Sequence, residues 1–236
     1  ARDVLGQYHR FAAAAPEELN VWAVLRQAPP LPFLPEAVHG RKVVVLAVFH
    51  AGDAVHGREL IEPLRHFGVP LGEHIDVQPY ARWQQAFDPL LAPGARNYWK
   101  SLNFTELSDG LFDAALSAAG RLPTDQCEIF IGLIAGAPNR IDPSATAYFH
   151  RDARFVMNVH GRWNEAAEDA SGIAWARDFF ASAKPYASAG GYVNFMTGDE
   201  EGRVPAAYGD NYGRLKAVKG RYDPQNVFCH NQNIVP

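Results

Sequence analysis

Residues 41–50 read RKVVVLAVFH, with an unbroken apolar run from Val43 to Phe49 and glycines just outside it at Gly40 and Gly52. Three of the seven are consecutive valines, whose branched Cβ fits a pleated surface better than a helix. A run this short, apolar at every position, predicts a strand covered on both faces, hence a central one. Upstream, LNVWAVLRQAP (19–29) alternates as a half-buried strand does. The Pro-rich connector PPLPFLPEAVHG (29–40) joins the two. Residues 2–14 predict a helix, closed by alanines and Pro16.

Downstream, Asp53 is a candidate N-cap for a helix stopped at Gly68. A strand near 73–78, a short helix over 80–87 and the strand RNYWKSLNF (96–104) follow. Ser108 or Asp109 caps a helix running to Gly120. CEIFIGLIAG (127–136) and AYFHRDARFVMNVHGRW (147–163) predict strands, and 164–183 a helix with Trp175, Phe179 and Phe180 on one face. GGYVNFM (190–196) predicts a short strand on which Tyr192 and Asn194 share one face. A last helix spans 204–221, and Tyr212, Leu215 and Val218 are expected to pack it on the sheet. No strict βαβ order emerges, so the class is α+β: a mostly antiparallel sheet with helices on one face.

The formal charge of −4, with 47% apolar and 20% charged residues, favours neither nucleic acid nor an anionic membrane as partner. No apolar run approaches the roughly 18 residues of a membrane span. Two cysteines read as free thiols of a cytoplasmic protein. The chain opens at Ala1 with no secretory pattern, which reads as a processed or excised piece. GxGxxG, GxxxxGK[ST] and GxSxG are all missing. His50, His56, His66 and His74 lack acidic or thiol partners at ligand spacing, so no metal is expected. His150 and His160 read as surface or hydrogen-bonded core histidines. The residues alone show no self-sufficient catalytic constellation.

The tail, YGDNYGRLKAVKGRYDPQNVFCHNQNIVP (208–236), adds what the rest lacks. Its aromatic-Gly-x-Asn-aromatic start, Arg-Leu-x-x-Val-Lys, Tyr-Asp-Pro-x-Asn-x-Phe and closing Asn-Gln-Asn-Ile resemble the end of the FAD-linked oxidases of the berberine bridge enzyme-like group, in the vanillyl-alcohol oxidase family. YVNF (192–195), TAYFHRDARF (146–155) and YWKSLNFTELSD (98–109) resemble further segments of that group, in order. The resemblance implies a substrate-binding cap domain over 1–200 and a segment over 201–236 that returns to an FAD-binding domain. FAD would serve the full-length enzyme, with none held by this chain alone, and the chain would not act alone. The reaction implied is hydride transfer to flavin from an alcohol, sugar or secondary metabolite, in an enzyme of bacterial type. A non-catalytic binding or assembly domain on the same fold is the alternative.

The resemblance also implies site residues. Tyr192, on the YVNF segment, is the candidate surrogate for the catalytic base, with a core tyrosine whose hydroxyl is satisfied as the alternative. Asn194, Tyr208, Asn211, Asn231, Gln232 and Asn233 are candidate cofactor contacts. Gly132, Met157, Phe195, Phe155 and His150 are candidate pocket residues, with Arg140, Arg151 and Asn158 as further polar groups. At Phe195, Met157 and Gly132 the group often carries polar catalytic side chains, and none of these three can take a proton. An apolar face left uncovered around Tyr192, Tyr208 and Asn231–Ile234 is expected to drive self-association.

Overall fold

A computed structural model describes residues 1–188 and 190–236. Five strands form one antiparallel sheet: β1 (Leu19–Gln27), β2 (Lys42–His50), β3 (Arg96–Phe104), β4 (Glu128–Leu133) and β5 (Phe155–Trp163), in spatial order β2-β1-β4-β5-β3. One face buries Leu19, Val21, Ala23 and Leu25 of β1, Ile129 and Ile131 of β4, and Phe155, Met157 and Val159 of β5. Against it pack α1 (Arg2–Ala14), α4 (Asp109–Ala119) and α6 (Asp169–Ala183). Between them in sequence lie α2 (Ala54–Ile61), α3 (Tyr80–Gln84) and α5 (Ala137–Arg140), and after them α7 (Val204–Tyr208) and α8 (Tyr212–Tyr222). The α+β class expected from the sequence is the observed one.

Local chemistry sets the element ends. The Asp53 carboxylate accepts from the Val55 and His56 amides at 3.0 Å and caps α2. Ser108 Oγ accepts from Leu111 N at 3.3 Å and caps α4. Trp163, at the end of β5, lays its indole on Gly172 of α6, where a Cβ would stand 2.4 Å from the ring. Its Nε1 donates to Asp169 at 2.6 Å, which fixes the ring. Gly172→Ala is therefore expected to lower stability by about 1–3 kcal/mol through overpacking, although alanine is the better helix former. Denaturant melts check this, and an unchanged or raised midpoint would show the indole free to move.

Several expectations are corrected. β2 is an edge strand, not a central one. Its all-apolar pattern arises because Val44, Leu46 and Val48 join the core while Phe49 is covered by Tyr80 and Trp83. Residues 73–78 are irregular, with Val77 exposed. The strand at 147–163 begins only at Phe155, because the Asn139 amide donates to the Arg151 and Ala153 carbonyls and holds that stretch as a loop. Residues 190–196 are no strand: Gly190 has φ +82° and Val193–Phe195 make a single 3-10 turn. This segment crosses the β3 edge, where Ser188 N donates to Asn103 O and Arg203 to Ser101 O.

The last helix is broken. Gly209 takes φ +52°, and a Cβ there would stand 2.2 Å from the Phe149 ring, so α7 and α8 are separate. No residue of α8 is fully buried and Val218 is 47% exposed, so α8 does not dock on the sheet as expected. Instead Tyr212, Tyr208, Val193 and Ile234 surround Met196, Val204 and Ala207 in a second, small cluster. The exposed apolar residues of the tail are Val218, Tyr222, Val227, Phe228 and Val235, while Tyr208 and Ile234 are half-buried. Cys127 is buried, Cys229 exposed, and both are free thiols. No described helix is long and apolar enough to cross a membrane.

Candidate functional site

The second face of the sheet differs in kind. Aromatics of α3 and the turn after it, Trp83 and Phe87, cover Trp22 at its β1 end. Phe195 covers Trp99 at its β3 edge. Between them β4 and β5 present Phe130, Gly132, Val156 and Asn158. Gly132 allows the Phe130 ring to lie beside it, since a Cβ would approach that ring to 2.6 Å. Phe130 meets Trp22 edge-on at 5.3 Å. The result is a floor with aromatic walls on two sides.

The polar groups of this face line up in rows across the strands, as antiparallel register requires. One row runs from Arg26 to Glu128 (2.8 Å), from Glu128 to His160 Nδ1 (3.2 Å), and from His160 edge-on to Trp99 (4.1 Å between centroids). The next holds Phe130, Asn158 and Ser101, and the one beyond it Gly132, Val156 and Asn103. Asn158 Oδ1, Ser101 Oγ, both amide atoms of Asn103, His160 Nε2 and Trp99 Nε1 are buried without a hydrogen-bond partner among the described residues. Buried polar atoms are ordinarily paired, so a cluster of unpaired ones on one face makes this face the candidate binding site.

The turn at the β3 edge brings a further proton-active group, Tyr192, beside this region. Tyr192 is half-buried, edge-on to Phe195 at 5.0 Å and to Tyr148 at 6.4 Å. Asn194 Nδ2 donates to its hydroxyl at 2.8 Å, so one lone pair is held while the hydroxyl proton is free to move. Burial raises the Tyr148 phenol above its ordinary value. From the tail, Gln232 Nε2 donates to Met196 O at 2.7 Å and secures the far end of the turn.

Behind the turn a charged cluster clamps it to β3 and α6. Asp199 accepts from Thr197 (2.6 Å), Tyr98 (2.5 Å), Arg177 (2.9 Å) and Lys100 (3.0 Å). Burial opposes its charge, but those hydrogen bonds outweigh it and hold the carboxyl far below the usual range. Glu200, 2% exposed, pairs with Lys100 and Arg203.

The sequence-derived candidates fall in three places. Tyr192, Asn194, Phe195 and Gly132 gather on or beside the open face. Met157 and Phe155 do not: both face the helices, at 0% and 1% exposure. Because side chains alternate along a strand, the residue reaching the open face is Asn158, one position on. His150 is buried beneath the loops, its Nε2 at 2.8 Å from the Ala206 carbonyl. Arg140 pairs with Glu17, and Arg151 stacks on Tyr148. Asn211 donates to the Pro143 and Thr146 carbonyls (2.7 and 3.0 Å) and ties down that loop. Tyr208 lies in the small cluster, while Asn231 is exposed with φ +59°. Asn233 Oδ1 is unpartnered among the described residues. Sequence reasoning missed Trp22, Phe130, Trp99 and the Arg26–Glu128–His160 row. Strand parity, counted from Leu19 along β1 and from Phe155 along β5, was the signal available for Trp22, Arg26 and His160.

An antiparallel sheet with helices on one face and an aromatic, amide-rich opposite face defines an α+β domain. Its relatives narrow the class. Residues 191–235 match the family described as berberine and berberine-like. An FAD-linked oxidoreductase of Dictyostelium discoideum is 26% identical over 196 residues, 82% of this chain and 42% of its own length. Tetrahydroberberine oxidase of Berberis wilsoniae is 29% identical over 129 residues, 48% of this chain and 24% of its own. The solved berberine bridge enzyme of Eschscholzia californica superposes on the whole chain with TM-score 0.80 at 18% identity, over 52% of its own chain, and so shares the fold. Over most of its length this chain is similar to FAD-linked oxidoreductases, and its last segment carries the berberine-like family match. It spans less than half the length of the curated relatives it matches.

Proposed function

We propose that this chain forms the substrate-covering part of an FAD-dependent oxidoreductase acting on an alcohol, sugar or secondary metabolite. The observation that carries this reading is the cluster of unpaired buried polar atoms, walled by aromatics, on the sheet face opposite the main helices. Neutral donors and acceptors beside aromatic rings suit a planar, polar ring system together with a small neutral substrate. FAD, when bound, supplies the hydride acceptor. Tyr192 acts as its phenolate, which takes the proton of the substrate hydroxyl and becomes the phenol, with Asn194 Nδ2 donating to its oxygen. Asn158 hydrogen-bonds the substrate, and Phe130, Phe195 and Trp99 exclude water. Residues 1–200 act as the cap. Residues 201–236 return to a flavin-binding half, which the exposed Val218, Tyr222, Val227 and Phe228 would dock, with Asn231 and Asn233 reaching across.

The full-length gene product is expected to purify yellow, with flavin near one per chain, and to bleach anaerobically with an oxidisable substrate. The 236-residue chain expressed alone should retain no flavin through gel filtration. A full-length product devoid of flavin, or flavin held tightly by the isolated chain, would overturn this reading.

A further inference from the structure

At the end of the sheet where β1 and β5 finish, a cavity of about 440 Å³ opens between Pro29, Pro30, Pro89 and Leu90, with Arg162 and Gln126 among its polar lining. That volume lies within the roughly 300–1,000 Å³ typical of small-molecule sites. Arg162 is 7% exposed. Its Nε donates to Gln126 Oε1 at 3.2 Å, its Nη1 to Asn97 Oδ1 at 3.1 Å, and its Nη2 to the Ala92 carbonyl. All three acceptors are neutral, and Arg162 makes no ion pair among the described residues.

Two other cations shielded from water, one buried and one partly buried, are treated differently. Lys100 has Asp199 at 3.0 Å and Glu200 at 3.5 Å, and Arg26, which also lines the cavity, has Glu128 at 2.8 Å. Asp125 lines the same cavity but is exposed to water. Arg162 is thus a buried charge with hydrogen bonds and no counter-charge, the arrangement least favourable to an empty site. A guanidinium carries five N–H donors, of which three are used among the described residues. The remainder, in a planar fork, suit an oxyanion.

We propose that this cavity binds a small organic anion, its carboxylate or phosphate on Arg162 and its apolar body against the proline walls. The proposal stands apart from the flavin reading, since Arg162 and the proline walls lie outside the polar rows described above, which the cavity meets only at Arg26.

The test uses benzoate, its neutral isostere benzamide, and inorganic phosphate, titrated into the isotope-labelled protein while the amide resonances of Gln126, Arg162 and Asn164 are followed. Benzoate is expected to shift these resonances saturably and to raise the melting temperature, and benzamide to do neither. Arg162→Gln should weaken benzoate binding about tenfold or more, as loss of a buried charge-assisted pair does. Phosphate equalling benzoate would assign the site to phosphate esters, and benzoate alone would assign it to carboxylates. Should Arg162→Gln fail to fold, the benzoate–benzamide comparison on the unaltered protein decides. Equal responses to benzoate and benzamide, or none to either anion at tens of millimolar, would overturn the proposal.

Discussion

Tyr192→Phe in the full-length protein is expected to lower kcat by about 10²–10⁴-fold, the usual contribution of a positioned acid or base. KM and the flavin absorption spectrum should barely move. The substitution removes one oxygen and leaves the ring on Phe195 and Tyr148, so it isolates the proton-transfer role from packing. The hydroxyl suits that role because, among the described residues, its one hydrogen bond is accepted from Asn194 at 2.8 Å. An alcohol losing hydride must also lose a proton, and neither Phe195 nor the open-face Asn158 can take it. Asn194→Ala should reduce kcat by a smaller factor, about tenfold, by freeing the hydroxyl to rotate. If Tyr192→Phe leaves kcat within about threefold of the parent, the tyrosine is a packing residue and another group takes the proton. His160, with Nδ1 on Glu128 and Nε2 unpaired, is the next group to examine.

Much of the framework was legible because its signals are local. The alternation of Leu19–Gln27, the Asp53 and Ser108 caps, and the face of Trp175 and Phe179 each follow from a few neighbouring residues. What failed depends on distant partners. The apolar pattern of β2 reports that both its faces are covered, and says nothing of whether both its edges are paired. The sequence around Tyr192 has strand-like composition, yet the segment turns over the β3 edge because that edge is where Ser188 and Arg203 find carbonyls. Of the candidates, Tyr192, Phe195 and Asn158 lie on or beside the open face, whereas Met157, one residue from Asn158, faces the core. On a strand that single step exchanges the core for the open face. Arg162 carried no signal at all, since an isolated arginine becomes informative only when its burial and its lack of a carboxylate are visible together.

Glu200→Ala is expected to destabilise the fold by about 3–5 kcal/mol, the range for removing one partner of a buried ion pair. Glu200 is 2% exposed, pairs with Arg203 and with Lys100 at 3.5 Å, and accepts from Thr197 N at 3.2 Å. Its loss therefore takes a counter-charge from Lys100, itself 7% exposed at the side chain, and a cap from the turn at Gly198–Arg203. Glu200→Gln, which keeps shape and the Thr197 bond, should lose less. Asp199 is the milder member despite its four donors: at 37% side-chain exposure, solvent screens it, and Asp199→Asn should lose only about 1 kcal/mol at neutral pH. Its carboxyl sits below the unfolded value, so its contribution is present above the ordinary aspartate range near 3.9 and fades as pH falls through the lower folded value. Denaturant melts at neutral and strongly acid pH check both statements, with the difference between parent and Asp199→Asn shrinking in acid. The cluster also has a functional reach, because it clamps the segment that leads back to Phe195 and Tyr192. Glu200→Ala protein, still folded at low temperature, should lose kcat with little change in flavin content. A loss of under about 1 kcal/mol would place the cluster among solvated surface pairs and remove it as the anchor of the Tyr192 turn.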